Sequence, residues 1–96
     1  MKKDKKMSRF NEILDIPKEI GTNKAKVTIL GFEEILIENY NGILEYENYI
    51  IKINTHIGTI NINGTNLEIV KMTTDDIIIN GKIDSIEFEE IENENN

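Results

Sequence analysis

Residues 60–69 read "ININGTNLEI", and residues 77–86, seventeen positions further on, read "IIINGKIDSI". Each places Asn-Gly between apolar residues spaced two apart. How these two dipeptides are read decides the fold. A two-residue type I′ hairpin turn needs positive φ at both central positions, which Gly supplies because it lacks a Cβ and Asn because it tolerates the left-handed region. On that reading Asn63-Gly64 and Asn80-Gly81 each close one strand and open the next.

The same period of two extends outward from both dipeptides. Val27 and Ile29, Ile35 and Ile37, Ile51 and Ile53, Ile60 and Ile62, Leu67 and Ile69, Ile77 and Ile79, and Ile86 and Phe88 form alternating pairs. Successive strand side chains point to opposite faces, so each pair commits its apolar groups to one face. Further turn signals fall at Gly31-Phe32-Glu33, residues 39–42, Glu47-Asn48, His56-Ile57-Gly58 and residues 73–76. The pattern predicts an all-β domain of about eight short, mainly antiparallel strands in a sandwich or roll, with Gly31, Gly42, Gly58, Gly64 and Gly81 at turns. Ile83 and Ile86 are three apart, which breaks the alternation and predicts a bulge near Asp84-Ser85. A β-solenoid-like stack is the alternative, although the uneven intervals between Gly42, Gly58, Gly64 and Gly81 weigh against a strict repeat.

Upstream of the strands the period changes. Residues 8–21 read as a short N-terminal helix, with Ser8 as N-cap, Phe10, Ile13 and Leu14 on one face, and Pro17 and Gly21 ending it. Residues 1–7 read as a disordered basic tail and residues 89–96 as a disordered acidic tail, which leaves a single domain over residues 8–88.

Composition narrows the function classes. The chain has 96 residues, enough for one domain with a modest core. It contains twenty Ile and thirteen Asn, and no Cys, so neither disulfides nor thiol chemistry is available. No apolar run approaches the ~20 residues of a membrane-spanning helix, so the chain itself is expected to be soluble. The formal net charge of −7 repels phosphate backbones, which argues against nucleic-acid binding by the main body. Lys2, Lys3, Lys5, Lys6 and Arg9 nevertheless make a basic end suited to weak contact with an anionic membrane surface.

No catalytic constellation stands out. His56 is the only His and has Asn54, Thr55 and Thr59 as its neighbours in sequence, with no nucleophile or carboxylate beside it. Asp75-Asp76 lacks the oxygen-ligand spacing of a calcium loop. Gly81-Lys82 leads into further strand, where a phosphate loop would lead into a helix. The expectation is a protein without enzymatic activity, cofactor or metal. Tyr40, Tyr46 and Tyr49 are candidate interaction residues, and an exposed sheet edge is the natural route for a partner strand to add.

The ordered set "LDIPKEI" (14–20), "VTILG" (27–31), "IENYNGILEY" (37–46), "INTHIGTINING" (53–64) and "LEIVKMTTDDIIINGKIDSIEF" (67–88) resembles the YabP/YqfC family of sporulation proteins. The Leu-Asp-Ile-Pro-Lys element at 14–18 points to its YqfC-like branch. The resemblance implies a role in endospore formation in the mother-cell cytoplasm, peripheral to the membrane around the developing spore. It further implies a membrane-anchored YqfD-like partner. A self-assembling component of the spore coat or envelope, hence a homo-oligomer, is the alternative.

Overall fold

The computed structural model describes residues 24–91. They form β1 (Lys26–Leu30), β2 (Glu34–Glu38), β3 (Tyr40–Glu47), β4 (Ile50–Thr55), β5 (Gly58–Met72) and β6 (Asp76–Glu90). All pairings are antiparallel, in one sheet of order β1-β2-β6-β5-β4-β3. The antiparallel ladder leaves no stacked rungs, so the solenoid alternative does not hold. The helix expected over residues 8–21 lies outside the described residues. β6 runs on through Glu90, two residues into the stretch expected as tail.

There are six strands, where the sequence predicts about eight, and the two Asn-Gly dipeptides account for the difference. Neither is a turn. Asn63-Gly64 lies within β5 and Asn80-Gly81 within β6, and each of these strands is 15 residues long. The φ angles give the reason. A type I′ turn needs two consecutive positive values, and neither Asn63 nor Asn80 has one. The consecutive pair occurs instead at Gly31 (φ 61) and Phe32 (φ 67), where Glu33 N–H donates to the Leu30 carbonyl at 3.2 Å and closes the β1–β2 turn.

What the two dipeptides build is a crease. The β5–β6 ladder passes from Asn63↔Ser85 to Gly64↔Ile83, leaving Asp84 as the extra residue, so the bulge expected near Asp84-Ser85 is present. It then passes from Thr65↔Lys82 to Glu68↔Asn80, so Asn66, with φ 55, and Leu67 oppose Gly81 alone. Two bulges this close bend and twist the pair strongly. Glycine is required because the backbones nearly touch. A Cβ on Gly64 would overlap the Lys82 carbonyl oxygen, and one on Gly81 would lie 2.7 Å from the Asn66 oxygen and 2.8 Å from the Leu67 Cα. Gly42 is also no turn residue: it lies within β3, beside a register shift.

The crease divides the sheet into two half-sheets of similar plan. One contains β1, β2, residues 76–80 of β6 and residues 68–72 of β5; the other contains β3, β4, residues 58–65 of β5 and residues 82–90 of β6. The registers correspond pair by pair. Ile35↔Ile79 and Ile37↔Ile77 in the first half match Ile51↔Ile62 and Ile53↔Ile60 in the second. The turns correspond too. Gly64 and Leu67 N–H groups, freed at the crease, donate to the carbonyls of Tyr49 and Asn48 in the β3–β4 turn (3.1 and 2.8 Å). Gly81 and Ile83 donate to the carbonyls of Glu33 and Phe32 in the β1–β2 turn (3.1 Å each). The seventeen-residue echo in the sequence therefore marks two matching corners of one bent ladder.

The bend brings the aliphatic faces together. Ile35, Ile37, Ile77 and Ile79 from one half, Ile51, Ile53, Ile60 and Ile62 from the other and Leu67 at the crease form one buried cluster, with Val27, Tyr40, Ile43, Ile69, Ile83 and Ile86 packed against it. Burying each such side chain contributes about 1.5–3 kcal/mol, which makes this cluster the main source of stability. The outer faces differ. Leu36 and Ile78 form a second buried pair with Leu30 and Val70, whereas the corresponding Lys52 and Asn61 are polar.

Candidate interaction edge

The terminal strands β1 and β3 each have one open side, and among the described residues one of the two long strands is open along part of its length as well. Residues 76–80 of β6 are flanked by β2 and β5, but beyond the crease β6 pairs, among the described residues, with β5 alone. The β1–β2 turn covers the other side only as far as Ile83. Ile91 N–H donates to the Ile57 carbonyl at 3.1 Å, which sets the phase of the ladder. Bonded and non-bonded pairs alternate in an antiparallel ladder, so Glu87 and Glu89 turn their backbone groups toward β5. Ile86, Phe88 and Glu90 turn theirs to the open side.

Side chains along this edge fall into two rows. Ile86 and Phe88 point to the core side, where Ile86 is half-buried against the cluster and Phe88 is 66% exposed. Ser85, Glu87 and Glu89 point the other way, and Asn63 Nδ2 donates to Ser85 Oγ at 3.2 Å. Asp84, Glu87, Glu89 and Glu90 give the edge four carboxylates and no cation between residues 84 and 91. Phe32 borders its upper end. It is 77% exposed and holds a left-handed backbone that bulky side chains disfavour.

The other long strand is better covered. Along the corresponding side of β5 beyond its crease, Ile69 N–H donates to the Tyr46 hydroxyl at 3.0 Å. The three tyrosines do different local work. Tyr46 occupies a donor on β5, Tyr40 packs against the core and donates its hydroxyl to the Thr73 carbonyl at 3.2 Å, and Tyr49 is exposed in the β3–β4 turn.

The remaining sequence candidates have local structural work. Next to the exposed His56, Thr55 organises the β4–β5 turn: its hydroxyl donates to the Gly58 carbonyl at 2.7 Å and accepts from the N–H groups of Ile57 and Gly58 at 3.2 and 3.1 Å. The Asp75 carbonyl accepts from Asn39 and Tyr40 N–H at 2.7 and 3.0 Å, tying the β5–β6 loop to the β2–β3 corner. Among the described residues no group of three or more His, Cys, Asp or Glu is placed to hold a metal ion. Nor is any helix among them long and apolar enough to cross a membrane.

A small domain made of one creased antiparallel sheet, with one long-strand edge open, is the class this architecture defines. The model of the YabP family matches residues 21–95, and the chain belongs to that family. It is 25% identical over 89 residues to a Bacillus subtilis (strain 168) protein described as "Uncharacterized protein YqfC", covering 93% of this chain and 96% of that one. No solved structure matches the chain.

Proposed function

We propose that the protein serves endospore formation and acts without catalysis, by protein–protein contact in the mother cell, with a membrane-anchored YqfD-like protein as its partner. The observation that carries this reading is family membership across residues 21–95, together with similarity to YqfC over nearly the whole of both chains. The architecture supports the contact mechanism, because an unpaired strand edge is a template for another strand. Such a partner would hold the protein at the membrane around the developing spore.

The test is the position of a fluorescent fusion in sporulating cells, with and without the neighbouring membrane protein. A ring around the spore that becomes diffuse without the neighbour supports the adaptor reading. A signal indifferent to sporulation would remove it.

A second reading, assembly of the chain with itself into a coat or envelope layer, would use the outer sides of β1 and β3, the terminal strands of the sheet. Light scattering after size exclusion separates the two, because a self-assembling layer grows with concentration whereas an adaptor keeps its size.

A further inference from the structure

We infer that the open side of β6, from Ile86 to Glu90, takes an extended segment of another protein in which apolar and basic residues alternate. The inference rests on the protein-contact reading and specifies its surface and the partner's chemistry.

Three independent features point to the same five-residue stretch of backbone. The first is hydrogen bonding: Ile86, Phe88 and Glu90 present outward N–H and C=O groups that no strand or turn among the described residues pairs, beyond the last donor, Ile83, that the β1–β2 turn satisfies. An added strand completes this row with the spacing the sheet already has. The second is apolar surface. Phe88 lies on the core-side face yet is 66% exposed, because β6 outruns the half-sheet that would cover it. A neighbouring strand would bring its own apolar residues alongside Ile86 and Phe88, and Phe32, 77% exposed beside Ile83, would close the end of that groove. The third is charge. Glu87 and Glu89 stand on the opposite row, so the partner residues across from them are the ones that gain from being Lys or Arg.

The charge pattern also decides between occupants. A second copy pairing antiparallel through the same edge, centred on Phe88, would set Glu87 of each copy opposite Glu89 of the other, and like charges directly opposite destabilise a ladder. An acidic edge thereby refuses its own kind and admits a basic strand, which is how natural sheets guard exposed edges against self-pairing.

The probe is a capped heptapeptide of alternating Lys and Val, added to the isotopically labelled full chain, with the Glu-Val heptapeptide as control. Chemical-shift changes centred on the Ile86, Phe88 and Glu90 amides with the Lys-Val peptide alone support the inference. Phe88→Pro removes an outward N–H that makes no bond within the sheet, so the variant keeps its melting temperature and binds about tenfold more weakly or worse. The double variant Glu87→Lys with Glu89→Lys inverts the preference toward the Glu-Val peptide.

Shifts located elsewhere, equal response to both peptides, no response to either, or a folded Phe88→Pro variant that binds normally would each overturn the inference. So would a dimer in which the Phe88 and Glu90 amides are protected from exchange. Should Phe88→Pro unfold, the charge-reversal pair still decides. The two readings fail separately. Loss of the peptide response with sporulation still dependent on the gene removes this edge alone, whereas a peptide response with sporulation indifferent to deletion of the gene removes the proposed function.

Discussion

Gly64 lies against the carbonyl oxygen of Lys82 so closely that no side chain fits between the two strands. The contact joins the two long strands at the point where both change direction, and it turns a pair of glycines into the narrowest part of the fold.

Alanine at Gly64 or Gly81 is therefore expected to destabilise by about 2–4 kcal/mol, through overlap at Gly64 and through both overlap and a φ of 143° at Gly81. Gly42 is the control, since a Cβ there meets nothing within 4 Å and its φ is ordinary. Gly42→Ala is expected to be neutral or to stabilise by about 0.4–1 kcal/mol through the unfolded chain. Chemical denaturation of the three variants checks the ordering, and equal midpoints would show that the crease is not glycine-dependent.

Phe32→Asn should raise the melting temperature. Asn accepts the left-handed backbone that Phe32 holds at about 1–2 kcal/mol of strain, and the Phe32 ring is too exposed for its loss to offset that gain. A domain of this size gains about 4–8 °C per kcal/mol. A lowered melting temperature would mean that the ring contributes packing the geometry does not reveal.

Thr55→Val keeps the shape of a buried residue and removes the hydroxyl that serves three backbone groups of the β4–β5 turn. Leaving buried donors unsatisfied costs about 1–3 kcal/mol, so the variant should unfold at correspondingly lower denaturant with an unchanged slope.

Tyr46→Phe deletes the acceptor for Ile69 N–H and should cost about 0.5–1.5 kcal/mol. Amide exchange reads it directly: Ile69 should lose protection while Ile62, within the central ladder, keeps it. Unchanged exchange at Ile69 would mean that the hydroxyl does not shield that edge.

Much of this architecture is legible locally. The aliphatic pairs at 35/37, 51/53, 60/62 and 77/79 announce their strands and their shared face, and the odd spacing of Ile83 and Ile86 announces the Asp84 bulge. β3 is harder to read because two register shifts, at Tyr40/Gly42 and Ile43/Glu45, break its alternation. The Asn-Gly dipeptides mislead because their local preference is for a turn, while the close approach of another backbone uses the same missing Cβ for a bend. Only the pairing of strands far apart in sequence tells these uses apart. The interaction edge divides the same way. Its carboxylates and Phe88 are plain in the sequence, but that one side of β6 has no partner past Ile83 among the described residues follows from the strand registers, and the left-handed Phe32 could be seen only in the backbone.

The shared long strands carry one more consequence. Because β5 and β6 each lend a segment to either half-sheet, the molecule has no seam along which its halves could part. A chain cut within the β5–β6 loop would strip both β2 and β5 of their β6 partner and leave β1–β2 and β3–β4–β5 as two unjoined ladders, and the severed piece would be one strand with nothing to bend around. Stability is therefore held in common, and loss of either corner should be felt as loss of the whole.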